Sequence, residues 1–289
     1  MYRFFKNSII VQMQGGIGNQ LFILAFAKAL SLQKNKKLYI DYKLGFEKDD
    51  YNRKYLLEPL NIFESKIELN FLESVFYKII IRIIRWNQKI ISFQNYFNDN
   101  KIPSFYFLNG YFQSENFFKK YRSEIQKMFS FKKPKFSLKQ EFNKFSKKNL
   151  VAIHVRDFSI DQKRLGKKEI QNVNFNYYFK CIKYFSSKII NPQFIVFSEK
   201  SNNFTKISKF FPKLNFINYK NPNNFSDLEI LYLMSSFENI IIANSTYSWW
   251  AAWLNNKKFK KNILCPSINK KNINWNDKSL LPKYFKQIN

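Results

Sequence analysis

Histidine and cysteine are nearly missing from this 289-residue chain, which carries one of the first and two of the second. Cys181 and Cys265 have no metal-ligand spacing, so no zinc cluster can be assembled, and such thin cysteine usage fits a reducing cytoplasm. Acidic residues are scarce as well: 20 Asp and Glu stand against 49 Lys and Arg, leaving a formal net charge of +29. That imbalance points to an anionic partner, whether nucleic acid, a membrane surface or a phosphorylated substrate, without choosing among them. Abundant Lys, Asn, Ile and Phe can also reflect an AT-rich genome, which would make part of the charge compositional. No Asp-x-Asp pair occurs. No apolar run reaches the roughly 18 residues of a membrane-spanning helix. Met1 to Asn7 is too short and polar to open a signal peptide. The sequence therefore reads as a soluble or peripheral protein.

What is present is an alternation of short apolar runs with helical patterns, the mark of an α/β chain with largely parallel sheets. Strands are predicted at Ser8 to Gln14, Lys37 to Asp41, Phe105 to Leu108, Leu150 to Val155, Gln193 to Phe197, Asn215 to Ile217, Asn239 to Ala243 and Asn262 to Leu264. Helices are predicted at Asn19 to Gln33, Phe71 to Phe93, Glu115 to Phe129, Phe175 to Ser187, Asn203 to Phe210, Ser226 to Phe237 and Ser248 to Asn255. The basic, proline-punctuated stretch from Phe131 to Phe136 has no clear period and precedes a fresh βαβ series. It marks the junction between two domains, taken as residues 1–145 and 146–289. In the helix from Phe71 to Phe93, Lys78, Arg82, Arg85 and Lys89 recur at helical spacing among isoleucines. Such a helix can lie on an anionic bilayer or pack with one solvated face.

Three places could carry chemistry. The first strand ends in Gly15-Gly16-Ile17-Gly18-Asn19-Gln20, a turn that lets backbone approach a ligand closely at a helix start. It half-resembles a dinucleotide fingerprint, with Asp41 closing the second strand where a ribose-binding acid would stand, but Leu21 replaces the third glycine. The second place is His154-Val155-Arg156-Asp157, at the carboxyl end of a buried strand, where parallel sheets bind ligands; a guanidinium there can pair with two phosphate oxygens. The third is Ala243-Asn244-Ser245-Thr246-Tyr247-Ser248, a hydroxyl-rich turn between a buried strand and a helix. Its free N–H groups and helix dipole suit a phosphate or a sugar, although a plain N-cap on an aromatic core helix would look the same.

In order and spacing, Gly15 to Phe22, the Asn109-Gly110-Tyr111-Phe112-Gln113-Ser114-Glu115 stretch, His154 to Arg156 and Ile241 to Leu254 together resemble the α-1,2-fucosyltransferases of glycosyltransferase family 11. The resemblance spans most of the chain. It implies a GT-B architecture of two facing Rossmann-like domains with a cleft between them, the C-terminal one holding GDP-fucose and the N-terminal one the acceptor. It also implies inverting transfer without a metal or other cofactor. Arg156 would hold the β-phosphate, and Asn244, Ser245, Thr246 and Ser248 would line the donor pocket. Gly16, Gly18, Asn19 and Gln20 would face the cleft, and Ser198 and Asp227 would add nucleotide contacts. His154 and Asp157 both stand open as general base. The chemistry is consistent: charge develops on departing GDP, and in the absence of Asp-x-Asp the stabilisers would be fixed donors such as Arg and helix N-termini.

The chain also departs from the family pattern. Asp157-Phe158 follows Arg156 directly where the family reads Arg-Gly-Asp-Tyr, so one cation is lost, and Lys163 or Arg164 could compensate. Phe197-Ser198-Glu199-Lys200 replaces Phe-Ser-Asp-Asp. A family Asp falls on Ile230, with Asp227 one turn earlier. The expected function is transfer of fucose from GDP-fucose in α-1,2 linkage to a galactose-containing glycan or lipid-linked oligosaccharide. It would serve bacterial surface polysaccharide synthesis in the cytoplasm or on the inner face of the membrane through residues 71–93. Nucleic acid is not expected as a partner. The alternatives are a nucleic-acid-binding protein, suggested by the charge interleaved with 34 Phe, 17 Tyr and 5 Trp, and a donor-binding but inactive relative.

Overall fold

A computed structural model describes residues 2–87, 105–145, 147, 149–166, 171–254, 262–272 and 275–289. The end of the predicted helix beyond Asn87, with Lys89, lies outside these residues, as does Asn255. The chain forms two compact units: residues 1–112 with 116–130, and residues 113–115 with 131–289. The junction falls before residue 145 because the helix Phe136–Phe145 packs within the second unit, its Phe145 ring stacked on Phe237 at 5.1 Å.

In the first unit, strands β1 (Ser8–Gln12), β2 (Lys37–Asp41), β3 (Ser65–Lys66) and β4 (Phe105–Leu108) form a parallel sheet in the order β3-β2-β1-β4. Ile9, Ile10 and Val11 are wholly buried, as a parallel strand covered on both faces must be. Helix α1 (Ile17–Lys34) is apolar on most sides and almost entirely interior, and it stops at Asn35 in the left-handed conformation. Helix α2 (Phe71–Asn87) buries Tyr77 and Ile81 against Phe4, Ile10, Tyr39, Ile67 and Phe107. The Tyr77 hydroxyl donates to Asp41 Oδ2 at 2.9 Å, while Asp41 Oδ1 accepts from the backbone of Lys43 and Leu44. Asp41 is therefore spent on closing β2, and no ribose-binding role is needed to explain it.

The predicted helix Glu115 to Phe129 is broken. Two short 3-10 turns, Glu115–Phe117 and Lys119–Tyr121, precede α3 (Arg122–Met128). Phe118 is the cause: it is wholly buried, its ring contacts Phe22, and its backbone at φ −137°, ψ 0° leaves the helical region to get there.

The second unit holds a six-stranded parallel sheet in the order β10-β9-β8-β5-β6-β7. Its strands are β5 (Leu150–Val155), β6 (Gln193–Ser198), β7 (Asn215–Asn218), β8 (Asn239–Ile241), β9 (Asn262–Pro266) and β10 (Lys286–Ile288). Its helices are α4 (Phe136–Phe145), α5 (Ser159–Leu165), α6 (Phe175–Lys188), α7 (Ser201–Phe210), α8 (Asp227–Ser235) and α9 (Thr246–Trp253). The chain runs from β5 outward through β6 and β7, then returns to the other side of β5 with β8. That reversal makes the carboxyl ends of β5 and β8 the place where open α/β sheets bind ligands. The tryptophans of α9 are core: Trp249, Trp250 and Trp253 are wholly buried. Trp249 Nε1 donates to the Leu280 carbonyl at 2.8 Å and Trp253 Nε1 to Glu115 Oε1 at 2.9 Å. Among the described residues no helix is long and apolar enough to cross a membrane.

Candidate functional site

The strand reversal in the second unit brings together two of the three places singled out in the sequence. Ile153 of β5 pairs in register with Ile241 of β8, so His154 and Arg156 emerge beside the turn from Ile242 to Ser245. Ser245 caps α9: its backbone is extended, at φ −135°, ψ 132°, and its hydroxyl accepts from the Tyr247 N–H at 3.3 Å. The His154 and Tyr247 rings lie 5.4 Å apart, so the two motifs touch. Tyr247 in turn donates to the Asp227 carbonyl at 2.5 Å, tying α9 to the start of α8. Asp227 thus takes part through its backbone, and its side chain is exposed.

His154 Nδ1 and Asn244 Oδ1 are among the buried side-chain atoms with no hydrogen-bond partner among the described residues. His154 is 8% exposed and its Nδ1 makes no hydrogen bond; Asn244 is 3% exposed, and while its Nδ2 donates to the Gln171 carbonyl at 2.7 Å, its Oδ1 accepts from nothing. Orphaned buried polar atoms are uncommon and call for an explanation; a ligand that hydrogen-bonds them is one. Burial, reinforced by the neighbouring Arg156 charge, lowers the His154 pKa to about 3, so the ring is neutral in ordinary conditions.

Arg156 is half-buried and held by two carboxylates, Asp161 at 3.1 Å and Glu199, with its guanidinium over the Phe158 ring at 5.2 Å. Asp157 pairs with Lys200 at 2.5 Å and accepts from the Ser159 N–H at 2.8 Å. Burial pushes the Asp157 carboxyl up, but these hydrogen bonds outweigh it and hold the group well below the usual carboxylate range. A general base works best with a pKa near the operating pH, and in this state neither His154 nor Asp157 has one. Val155 pairs with Ser198, so the two ion pairs, Arg156 with Glu199 and Asp157 with Lys200, cross between the ends of adjacent strands. Ser198 itself closes the following turn, accepting from Asn203 Nδ2 at 3.0 Å.

Ser248 is wholly buried, and its hydroxyl accepts from the Ala243 N–H at 3.2 Å. It shapes the turn from inside. Ser245 and Thr246 remain half-buried at the mouth of α9. Lys163 is exposed on α5, and the side chain of Arg164 lies outside the described residues. The cation actually beside Asp157 is Lys200.

In the first unit the glycine turn leads from β1 into α1, again where strand order reverses about β1. Gly15 has φ +76°, and a Cβ added there would sit 2.9 Å from Asn19 Nδ2 and 3.1 Å from the Tyr111 ring. Gly16 caps α1 with open space where its Cβ would be, which suits close approach of a ligand. Gly18 is buried within α1, and Asn19 is half-buried in its first turn. Gln20 does not face a ligand. It is wholly buried, its Nε2 donates to the carbonyls of Gly15 and Lys54 at 2.9 Å each, and its Oε1 accepts from the Leu56 N–H at 3.0 Å. Every polar atom of that side chain is occupied in clamping the glycine turn.

Sequence reasoning missed several supports. Gly45 lies against the strand end before the turn, where an added Cβ would stand 2.2 Å from the Met13 carbonyl oxygen. The Gln171 carbonyl receives both Asn244 Nδ2 and Asn272 Nδ2, and Asn172 Oδ1 accepts from the Phe158 N–H at 2.6 Å. No local pattern marks residues 171 and 172; their role comes from contacts with residues distant in sequence. Among the described residues, no three His, Cys, Asp or Glu side chains converge in a way that could hold a metal ion.

Comparison with known proteins matches these features. The profile of glycosyl transferase family 11 covers residues 8–278. An α-1,2-colitosyltransferase of Escherichia coli is 25% identical, with 86% of this chain aligned to 88% of the relative. The O-antigen biosynthesis glycosyltransferase WbnK of the same organism is 28% identical, over 84% and 89%. Among solved structures, the α-1,6-fucosyltransferase NodZ soaked with GDP-fucose superposes with a TM-score of 0.52 over 86% of this chain and 93% of its own, at 12% identity. NodZ from Bradyrhizobium gives 0.51 over the same shares, at 14%. The two parallel-sheet units are thus of the GT-B type found in these fucosyltransferases. With a family profile spanning nearly the whole sequence and two of its motifs brought together at the β5/β8 reversal, the chain belongs to glycosyltransferase family 11 and is a glycosyltransferase.

Proposed function

We propose that this glycosyltransferase moves fucose from GDP-fucose to a galactose-containing glycan in α-1,2 linkage, with inversion and without a metal, in the assembly of a bacterial surface polysaccharide. The observation that carries the reading is the contact between the end of β5, which leads into Arg156, and the N-terminal corner of α9 at the β5/β8 reversal, made by the His154 and Tyr247 rings. Breaking a sugar–phosphate bond leaves growing negative charge on the nucleotide, and donors already aimed at that charge lower the barrier most. Arg156 presents a fork suited to two phosphate oxygens and, before ligand arrives, satisfies it with Asp161 and Glu199. The N-terminal end of α9, the positive pole of its helix dipole, favours negative charge at the same place. Lys200, in the turn after β6 and paired with Asp157, supplies a cation beside the residue that follows Arg156, where the family's second arginine is missing. The orphaned Asn244 Oδ1 is an acceptor for a hydroxyl or N–H of the bound donor.

Support for the donor and linkage comes from related proteins: a protein of the same fold was soaked with GDP-fucose, and one E. coli relative is named for an α-1,2 transfer. That relative favours a second reading, in which the sugar moved is colitose. Purified protein incubated with lactose and GDP-fucose, or with nucleotide-activated colitose, separates the two. Fucosylated product with an α-1,2 linkage and full turnover in a chelator supports the first reading. Product from colitose alone selects the second, and absolute dependence on Mg²⁺ or Mn²⁺ rejects the metal-free mechanism.

A further inference from the structure

Helix α2 is apolar on two opposite faces, and among the described residues only one of them is packed into the core. Tyr77 and Ile81, four residues apart, are packed into the core of the first unit. Leu72, Phe76, Ile79 and Ile83, spaced by four, three and four residues, form a second row along the other side. These four are 67%, 58%, 50% and 51% exposed. Val75, at 43%, widens the row. A helix apolar all round is normally interior, and an exposed contiguous apolar strip of this kind marks a place where something docks.

We propose that this outward row of α2 seats the protein on an anionic lipid bilayer, with the helix lying in the plane of the interface. Charge selects the occupant. Lys78 and Arg82, one turn apart and both exposed, run along the edge of the row. Lys78 also reaches Glu47 at 2.7 Å, and Glu73 sits in the first turn bonded to the Asn70 backbone, away from the middle of the strip. The whole chain carries a net charge of +29. An apolar strip with long cationic side chains at its edge, on so basic a protein, is complementary to anionic headgroups over acyl chains. A second copy of this basic chain would instead bring like charges together. Bilayer docking is independent of the sugar transferred, and it would place the enzyme where acceptors anchored in lipid are presented.

Co-sedimentation of the full-length protein with vesicles tests this, comparing phosphatidylcholine alone with mixtures containing phosphatidylglycerol. Wild-type protein is expected to pellet with the anionic vesicles and to retain part of that binding at high salt, because the inserted side chains are insensitive to ions. The double substitution Phe76→Ser with Ile79→Ser is expected to weaken partition more than tenfold, each side chain accounting for roughly a fivefold share. Arg82→Gln should weaken it a few-fold at low salt only. Both variants should keep the wild-type melting temperature, since the substituted side chains lie outside the core. The proposal is overturned if wild-type protein ignores anionic vesicles, binds neutral ones equally well, or partitions unchanged after the double substitution. It is equally overturned if light scattering without lipid finds a dimer that the double substitution dissociates, which would give the row to a second copy.

Discussion

Replacing Arg156 by alanine perturbs the proposed donor site at one point, and the structure supports an estimate of the cost. In the free protein the guanidinium bonds Asp161 and Glu199, and Glu199 is 57% exposed, so these ion pairs are worth about 0–1 kcal/mol each. Two charge-assisted hydrogen bonds to a phosphate are worth about 1.5–3 kcal/mol each, and the free-state pairs must be surrendered to make them. The net loss on removing Arg156 is then about 2–4 kcal/mol, or roughly 30- to 1,000-fold in kcat/KM. Stability should barely move, because only partly exposed pairs are lost. The companion substitution Glu199→Gln removes a competitor for the same fork and should tighten GDP by up to about fivefold. Steady-state kinetics with GDP-fucose and titration calorimetry with GDP measure both. Arg156→Ala within threefold of wild-type kcat/KM would refute the phosphate role. Weaker GDP binding by Glu199→Gln would refute the view of Glu199 as a placeholder.

Gln20→Ala should act on the fold, costing about 1–3 kcal/mol in chemical denaturation because it removes the side-chain partner of the Leu56 N–H and of the Gly15 and Lys54 carbonyls; unchanged stability with lost activity would restore a ligand-facing role. Gly45→Ala should destabilise the first unit by about 2–3 kcal/mol, since its Cβ meets the Met13 backbone carbonyl; a neutral effect on melting would show that the strand end can shift. His154 binds its proton only near pH 3 when folded, against about 6.5 when unfolded. Stability present above pH 6.5 is therefore lost as pH falls toward 3, by about 1.4 kcal/mol per pH unit. Between pH 7 and pH 5 the wild type should lose about 2 kcal/mol more than His154→Gln, read from denaturant midpoints; equal losses would mean that the ring is accessible to protons.

The predicted strands from Ser8 to Leu264 are all present, and for β1 and β5 the reason is plain: a strand buried on both faces needs an unbroken apolar run, and that requirement is written locally. Ser245 as a helix cap and the turn at Gly15 and Gly16 were legible for the same reason: caps and left-handed turns restrict residue type at the position itself. The strands Ser65–Lys66 and Lys286–Ile288 were not, being too short to show a period. Gln20 and Ser248 illustrate the harder limit. Their side chains carry the right groups for a ligand, and which way each points is settled by partners such as Leu56 and Ala243.

By itself, then, the sequence determined the element types, the order of the motifs and the chemistry those motifs could offer. Only tertiary structure decided that β8 returns beside β5, so that Tyr247 reaches His154, and that Arg156 rests on Glu199 while Asp157 holds Lys200. Element formation depends on neighbours along the chain. The orientation of a polar side chain depends on whichever donors and acceptors the fold carries to it from far away.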